Sequence, residues 1–363
     1  MKTIVIEGMT EGIGGKETYI INTFRAMDKK KYRFIFISYN DQIAYEQELV
    51  DNSAIIAHVT PRNKNPLVFW TDLDQLFANN RIDVVWAHKT TLSSCEILML
   101  AAKHGVPVRM IHSHSSENMG GRFTRIMHDF NKKRLDRYAT VRLACSDVAA
   151  RWFYDDRSSI ILKNAIDLNR YRFDPAVRER IRSKLGIRDQ FVLGHVGRFG
   201  AEKNHQKLLH VFAALLQEKP DAYLILCGDG ELRGQIEQTI HKLSITEHVK
   251  LLGNVSNVNE MLQAFDILIM PSLFEGLPFA LLEAQASGLK CVVSDTVSSE
   301  SNILGWNVAV PLNALDPEWV KAIQGLDLHY DRIDGYFGMK KNGFDLSDSI
   351  FVLERIMEGE KAL

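Results

Sequence analysis

Apolar runs a few residues long alternate along the chain with amphipathic stretches of helical period. In the first half the runs predict strands at Thr3–Ile6, Arg33–Ser38, Ala54–Val59, Val84–Ala87, Val106–His112, Val141–Cys145 and Ser159–Leu162. Helical periods fill most of the gaps, as over Lys16–Met27 and Leu92–His104. The second half repeats the pattern with strands at Phe191–Val196, Tyr223–Cys227, Val249–Leu251, Ile267–Met270, Cys291–Ser294 and Val308–Val310, and helices such as His205–Glu218 and Glu231–Leu243. Strands apolar on both faces, alternating with helices, belong in a parallel sheet covered on each side. The pattern breaks in the polar stretch from Lys163 to Asp174. Two doubly wound α/β units joined there, with a ligand cleft between their carboxyl edges, are the expected architecture. A final helical period over Asp345–Met357, carried by Leu346, Ile350, Leu353 and Ile356, follows the second unit, and Asp345 or Ser347 can cap it.

Composition narrows the class without naming it. At 363 residues, 46% hydrophobic and 25% charged, the chain fits a two-domain globular protein. A formal net charge of −1 argues against nucleic acid as the main partner. The amino terminus enters an apolar strand at once, without the features of a signal peptide, and no apolar run reaches membrane-span length. Cys95, Cys145, Cys227 and Cys291 are scattered within apolar segments, as expected of buried thiols in a reducing cytoplasm rather than a zinc or disulfide framework. One segment departs from the even balance. Residues 119–142 hold seven Lys/Arg against two Asp, interleaved with Met119, Phe123, Ile126, Met127, Phe130 and Leu135. It reads either as a solvated helix face or as a surface for anionic lipid.

Chemistry concentrates in the loops that follow predicted strands. After the first strand, Gly8 to Glu17 (GMTEGIGGKE) offers close backbone approach and a helix start near Lys16, both suited to phosphate. Its spacing is neither the dinucleotide fingerprint nor a P-loop. His112 and His114 follow another strand and share a face by its two-residue period. No carboxylate or cysteine at ligand spacing accompanies them, so a hydrogen-bonding role in the cleft is expected rather than a metal pair. In the second half, Arg198 and Lys203 lie in one strand-to-helix loop, where two cations can neutralise a diphosphate. Gly228-Asp229-Gly230 ends the next strand. The stretch from Met270 to Ala286 then places Glu275 in a loop and Glu283 eight residues on, inside a helix expected to start near Pro278. Two carboxylates at that edge suit a polyhydroxylated, anionic ligand, and the alternative is an ordinary turn whose acid favours the helix dipole.

Together, PSLFEGLPFALLEAQASG with its Glu275…Glu283 spacing, GRFGAEKNH, the GIGGKE loop, ACSDVAARWF and LKNAIDL resemble the retaining GT-B glycosyltransferases of family 4, especially those of bacterial exopolysaccharide and capsule synthesis. The resemblance covers nearly the whole chain. It implies two Rossmann-like domains: residues 1–168 with the helix at 345–363 for the acceptor, and 169–344 for the nucleotide-sugar donor. The last helix is implied to cross back to the first domain. Arg198 and Lys203 would hold the donor diphosphate, Glu283 the ribose, and Glu275 the donor sugar, with Phe274, Gly276 and Leu277 close by. Gly14 and Gly15 would approach the diphosphate, Gly228 would border it, His114 would sit near sugar and acceptor, and Asn164 would line the junction.

The same likeness implies front-face transfer, in which the leaving phosphate takes the acceptor proton. Neither a protein nucleophile nor a bound metal or other cofactor is then needed, and no D-x-D metal motif stands near a strand end. A UDP-sugar donor, a glycan or lipid-linked acceptor, and a place at the inner face of the cell membrane complete the expectation. Lys290, where proline is frequent, and the single Gly305 beside Trp306 depart from the family pattern and bear on donor choice. A UDP-sugar 2-epimerase of the same fold and a non-catalytic nucleotide-sugar-binding subunit are the rivals.

Overall fold

The computed structural model describes residues 1–115 and 120–360. Met119 and the last three residues of the predicted C-terminal segment lie outside them. The chain divides into two compact units, Met1–Ala165 together with the segment from Leu346, and Ile166–Asp345.

The first unit is built on β1 (Lys2–Glu7), β2 (Tyr32–Ser38), β3 (Ile55–His58), β4 (Val84–Lys89), β5 (Val108–Ser113), β6 (Val141–Ala144) and β7 (Ile160–Ile161). All pair in parallel in the order β3-β2-β1-β4-β5-β6-β7. Their sequences explain this: Ile4, Val5 and Ile6 are buried whichever face they point to, which only a helix-covered parallel sheet provides. On one side Phe24 of the helix Gly15–Ala26 meets Phe34 and Phe36 edge to face at 5.0 and 5.5 Å. Burying each such ring stabilises the unit by about 1.5–3 kcal/mol. The helix Pro66–Asn79 starts where Asn65 accepts hydrogen bonds from the Leu67 and Val68 N–H groups, with proline at its first position.

The second unit holds β8 (Val192–Val196), β9 (Tyr223–Cys227), β10 (Val249–Gly253), β11 (Ile267–Met270), β12 (Lys290–Ser294) and β13 (Asn307–Val310), in the parallel order β10-β9-β8-β11-β12-β13. Gly194 in β8 is required by packing: a Cβ there would stand 1.9 Å from the Phe265 ring.

The last helix, Leu346–Met357, belongs to the first unit and packs beside Gly15–Ala26. Lys2 secures it, donating to the Met357 carbonyl at 2.8 Å and pairing with Glu358 at 2.7 Å. Most boundaries fall within two residues of the sequence expectation, and one differs by four. The helix predicted from Leu92 begins at Glu96. Leu92 is buried from the preceding loop, its N–H donating to His128 Nδ1 and its carbonyl accepting from Asn131. Its apolar side chain therefore mimics a helical period it does not belong to.

Candidate active site

In each sheet the strand order reverses direction once, and loops on either side of that point open a crevice at the carboxyl edge. In the second unit the reversal lies between β8 and β11. The loop after β8 carries Lys203 and the loop after β11 carries Glu275. The structure brings the two together: the Lys203 ammonium donates to the Glu275 carboxylate, with side chains only 14% and 15% exposed. Backbone ties hold both loops in place. Leu273 N–H donates to the Glu202 carbonyl at 2.7 Å, and Ser298, from the loop after β12, donates to the Glu275 carbonyl at 2.9 Å. Lys203 lies over Gly197, where a Cβ would come within 3.1 Å of its Cε and 3.2 Å of His195 Nε2.

Arg198 is placed differently. It does not share Lys203's carboxylate but turns to Glu231 in the loop after β9, at 2.8 Å, with 66% of its side chain exposed. A pair this exposed is screened by solvent and holds Arg198 only weakly. Gly228 fills the narrowest point between these loops. Its φ of +151° and the 1.9 Å that would separate an added Cβ from the Gly197 carbonyl exclude any side chain. Gly276, by contrast, faces open space, and Phe274 is exposed beside it.

Glu283 lies in the helix Phe279–Ala286, which begins one residue after Pro278, proline serving as its cap rather than its first residue. Its carboxylate accepts a hydrogen bond from Tyr171 Oη at 2.8 Å. Poor solvation raises its pKa, opposed by the Tyr171 hydrogen bond and the nearby Arg170.

In the first unit the reversal falls between β1 and β4. Gly14 caps the helix Gly15–Ala26 in extended conformation, and Gly15 opens it, so the first N–H groups of that helix face the loop. Lys16 folds back and donates to the Gly8 carbonyl. Gly8 itself, at φ +135°, lets the chain pass over His88, whose Cβ would be 2.7 Å from an added one. Below the loop, buried Glu7 takes hydrogen bonds from Tyr39 Oη at 2.8 Å and Lys89 Nζ at 2.9 Å. Burial alone would lower the Lys89 pKa, but the carboxylate beside it reverses that and raises it.

His114 stands just past β5 with its Nε2 2.8 Å from His88 Nδ1, and the His112 ring packs against it at 4.3 Å. Burial holds all three imidazoles neutral, driving His112 down to about 3 and the other two well below the usual range. Asn164 is buried, and its Oδ1 has no partner among the described residues.

Beside this edge lies a cavity of about 550 Å³ with an apolar wall of Phe69, Phe123 and Met127 and a polar end at Arg62 and Ser94. Phe123 opens the helix Arg122–Arg134, the basic segment, and Phe123, Ile126 and Phe130 are exposed along it. Lys132 leaves the basic face: it pairs with Asp155 at 2.8 Å and is largely buried.

Sequence reasoning missed Glu7, Tyr39, Lys89, His88 and Tyr171. For His88 a signal existed, since it closes an apolar strand as His112 does; the others depend on which strands are neighbours.

The comparisons agree with this geometry. The family "Glycosyltransferase Family 4" matches residues 13–170 and "Glycosyl transferases group 1" matches 177–310. EpsF of Bacillus subtilis (strain 168), named as a glycosyltransferase, is 32% identical over 88% of this chain and 85% of its own. An Escherichia coli UDP-Gal:alpha-D-GlcNAc-diphosphoundecaprenol alpha-1,3-galactosyltransferase is 29% identical over 61% of this chain and 60% of its own. Among solved structures, Anabaena HepE in complex with UDP, and again with UDP-glucose, aligns with TM-scores of 0.77 and 0.74 at 18% identity, covering 99% of this chain and 100% of that one. Two Rossmann-like units, a C-terminal helix returned to the first, and these relatives together make the chain a GT-B glycosyltransferase of family 4, the glycosyl transferases group 1.

Proposed function

We propose that the chain is a retaining enzyme that moves a sugar from a UDP-sugar to a lipid-linked saccharide during exopolysaccharide or capsule synthesis, with no metal in the transfer step. The contact of Lys203 with Glu275 at the reversal point of the second sheet carries this reading. A cation and a carboxylate in one half-buried crevice can meet the two ends of a sugar diphosphate. Lys203 and Arg198 take the diphosphate and stabilise charge as the nucleotide leaves. Glu275 accepts hydrogen bonds from donor-sugar hydroxyls, and Glu283, steadied by Tyr171, accepts them from the ribose. In the first unit, the N–H groups of Gly14 and Gly15 are assigned to phosphate and His114 to a sugar or acceptor hydroxyl. The leaving phosphate oxygen takes the acceptor proton, so no side chain acts as nucleophile. The relatives named for UDP-Gal and diphosphoundecaprenol, and bound to UDP and UDP-glucose, support the donor and acceptor classes.

The test is donor binding. Arg198→Ala is expected to weaken UDP by about tenfold or more in titration calorimetry, since charge-assisted hydrogen bonds contribute about 1.5–3 kcal/mol. Affinity within twofold of wild type would remove Arg198 from the site.

No helix among the described residues is long and apolar enough to cross a membrane. Contact at the inner membrane face is assigned to Phe123, Ile126 and Phe130, flanked by basic residues, beside the apolar cavity that would take the acceptor lipid. Replacing Phe123 and Phe130 together by Ser is expected to cut sedimentation with anionic vesicles at least about tenfold, given about 1.5–3 kcal/mol per buried ring. Unchanged sedimentation would leave the helix as a solvated face.

A further inference from the structure

We propose that His88, His112 and His114 form a site for a borderline-soft divalent ion of the zinc type in the first unit. The sheet itself builds it. His88 on β4 and His112 on β5 are direct register partners, and His114, two residues on, falls on the same face. One ligand nitrogen from each lies within 4.8 Å of the other two. Zn–N bonds of about 2.0–2.1 Å in a tetrahedral site separate the nitrogens by about 3.3 Å, so small ring rotations complete the arrangement.

A second observation points to a missing occupant. Both His112 nitrogens and His88 Nε2 are buried without a hydrogen-bond partner among the described residues. Buried polar atoms left without a partner are rare in folded proteins, and one nitrogen of each of the three rings lies within this cluster.

The nearby charges leave this set to nitrogen alone. Glu7 is committed to Lys89 and Tyr39, and Lys16 to Gly8 and Glu17. Three imidazoles suit zinc, copper or nickel rather than magnesium or calcium. His114 is only half-buried and provides the open side, where a fourth ligand would bind. The ion would pin the carboxyl ends of β4 and β5 together and set the orientation of His114. The site lies wholly within the first unit, whereas Lys203 and Arg198 belong to the second.

The test titrates the chelator-stripped full chain with Co²⁺ and then Zn²⁺. One Co²⁺ per chain is expected, with visible d–d absorption, no thiolate charge-transfer band, displacement by Zn²⁺ and a higher melting temperature with Zn²⁺. His88→Gln, His112→Gln and His114→Gln should each weaken Co²⁺ by at least about tenfold, while exposed His210→Gln leaves it unchanged. His114→Gln, at the open edge, keeps the test valid if a buried substitution unfolds the chain, which circular dichroism reports. Absence of a saturable Co²⁺ spectrum in the wild type, or unchanged affinity in His114→Gln, overturns the proposal. Neither readout involves sugar transfer, so it fails or stands apart from the proposed reaction.

Discussion

Glu275→Ala is expected to remove most sugar transfer, lowering turnover by about 10- to 100-fold, the equivalent of one or two charge-assisted hydrogen bonds. Two losses combine. Under the proposed role the donor hydroxyls lose their acceptor, and Lys203 loses the carboxylate that holds its ammonium in the crevice. Glu275→Gln separates them, because the amide still accepts a hydrogen bond but no longer pairs with a cation. It should therefore retain more donor affinity than turnover. Lys203→Ala is the harsher change: a carboxylate 15% exposed is left without its counter-charge, and breaking a buried pair costs about 3–5 kcal/mol, an upper bound for this half-open crevice. Steady-state kinetics alongside melting curves distinguish lost chemistry from lost fold. Turnover of Glu275→Ala within threefold of wild type, with the chain folded, would end the assignment.

The second large effect is loss of stability in mild acid. His195 and His205 are both buried under the loop that carries Lys203, their rings 4.9 Å apart. His195 Nδ1 donates to the Ile269 carbonyl at 2.8 Å, and Phe199 packs on His205 at 4.8 Å. Desolvation, then their mutual repulsion and the Lys203 charge, press His195 well below its ordinary range, while desolvation and Lys203 bring His205 down to about 4. An unfolded chain protonates both near pH 6.5. Below that value the unfolded state binds more protons than the folded one, so stability falls with falling pH. The loss is about 1.4 kcal/mol per group per pH unit, or roughly 3 kcal/mol by pH 5.5 for the two. It continues for His205 down to about pH 4. Melting temperatures at pH 7.5, 6.5, 5.5 and 5.0 read this directly, and His205→Gln should flatten the slope. A melting temperature constant over that range would contradict the neutral, buried state of these rings.

The strands were legible because each is short, apolar on both faces and bounded by polar turns. Thr3–Ile6 and Ile267–Met270 could be read to within a residue or two for that reason. Leu92 misled because a buried loop side chain has the same hydrophobicity as a helical one. The loops at strand ends could be read as places where chemistry gathers, since glycine, cations and acids have no business in apolar runs. What they grip could not be read. Lys203 and Glu275 are 72 residues apart in sequence, and Tyr171 and Glu283 are 112 apart. Only the order of strands in the sheet makes them neighbours. The second partner of His114 was hidden likewise: His88 joins it by register between strands, a relation no local spacing encodes.

The return of Leu346–Met357 to the first unit sets an order on synthesis. The ribosome makes β1 to β7 early, yet the helix that covers Gly15–Ala26 and ties to Lys2 follows some 180 residues of the second unit. Until it arrives, Lys2 has neither the Met357 carbonyl nor Glu358, and the face beside Gly15–Ala26 stays open to solvent. The first unit to be made is thus the last to be finished, and a chain cut short before residue 346 would carry an intact second unit beside an unsealed first.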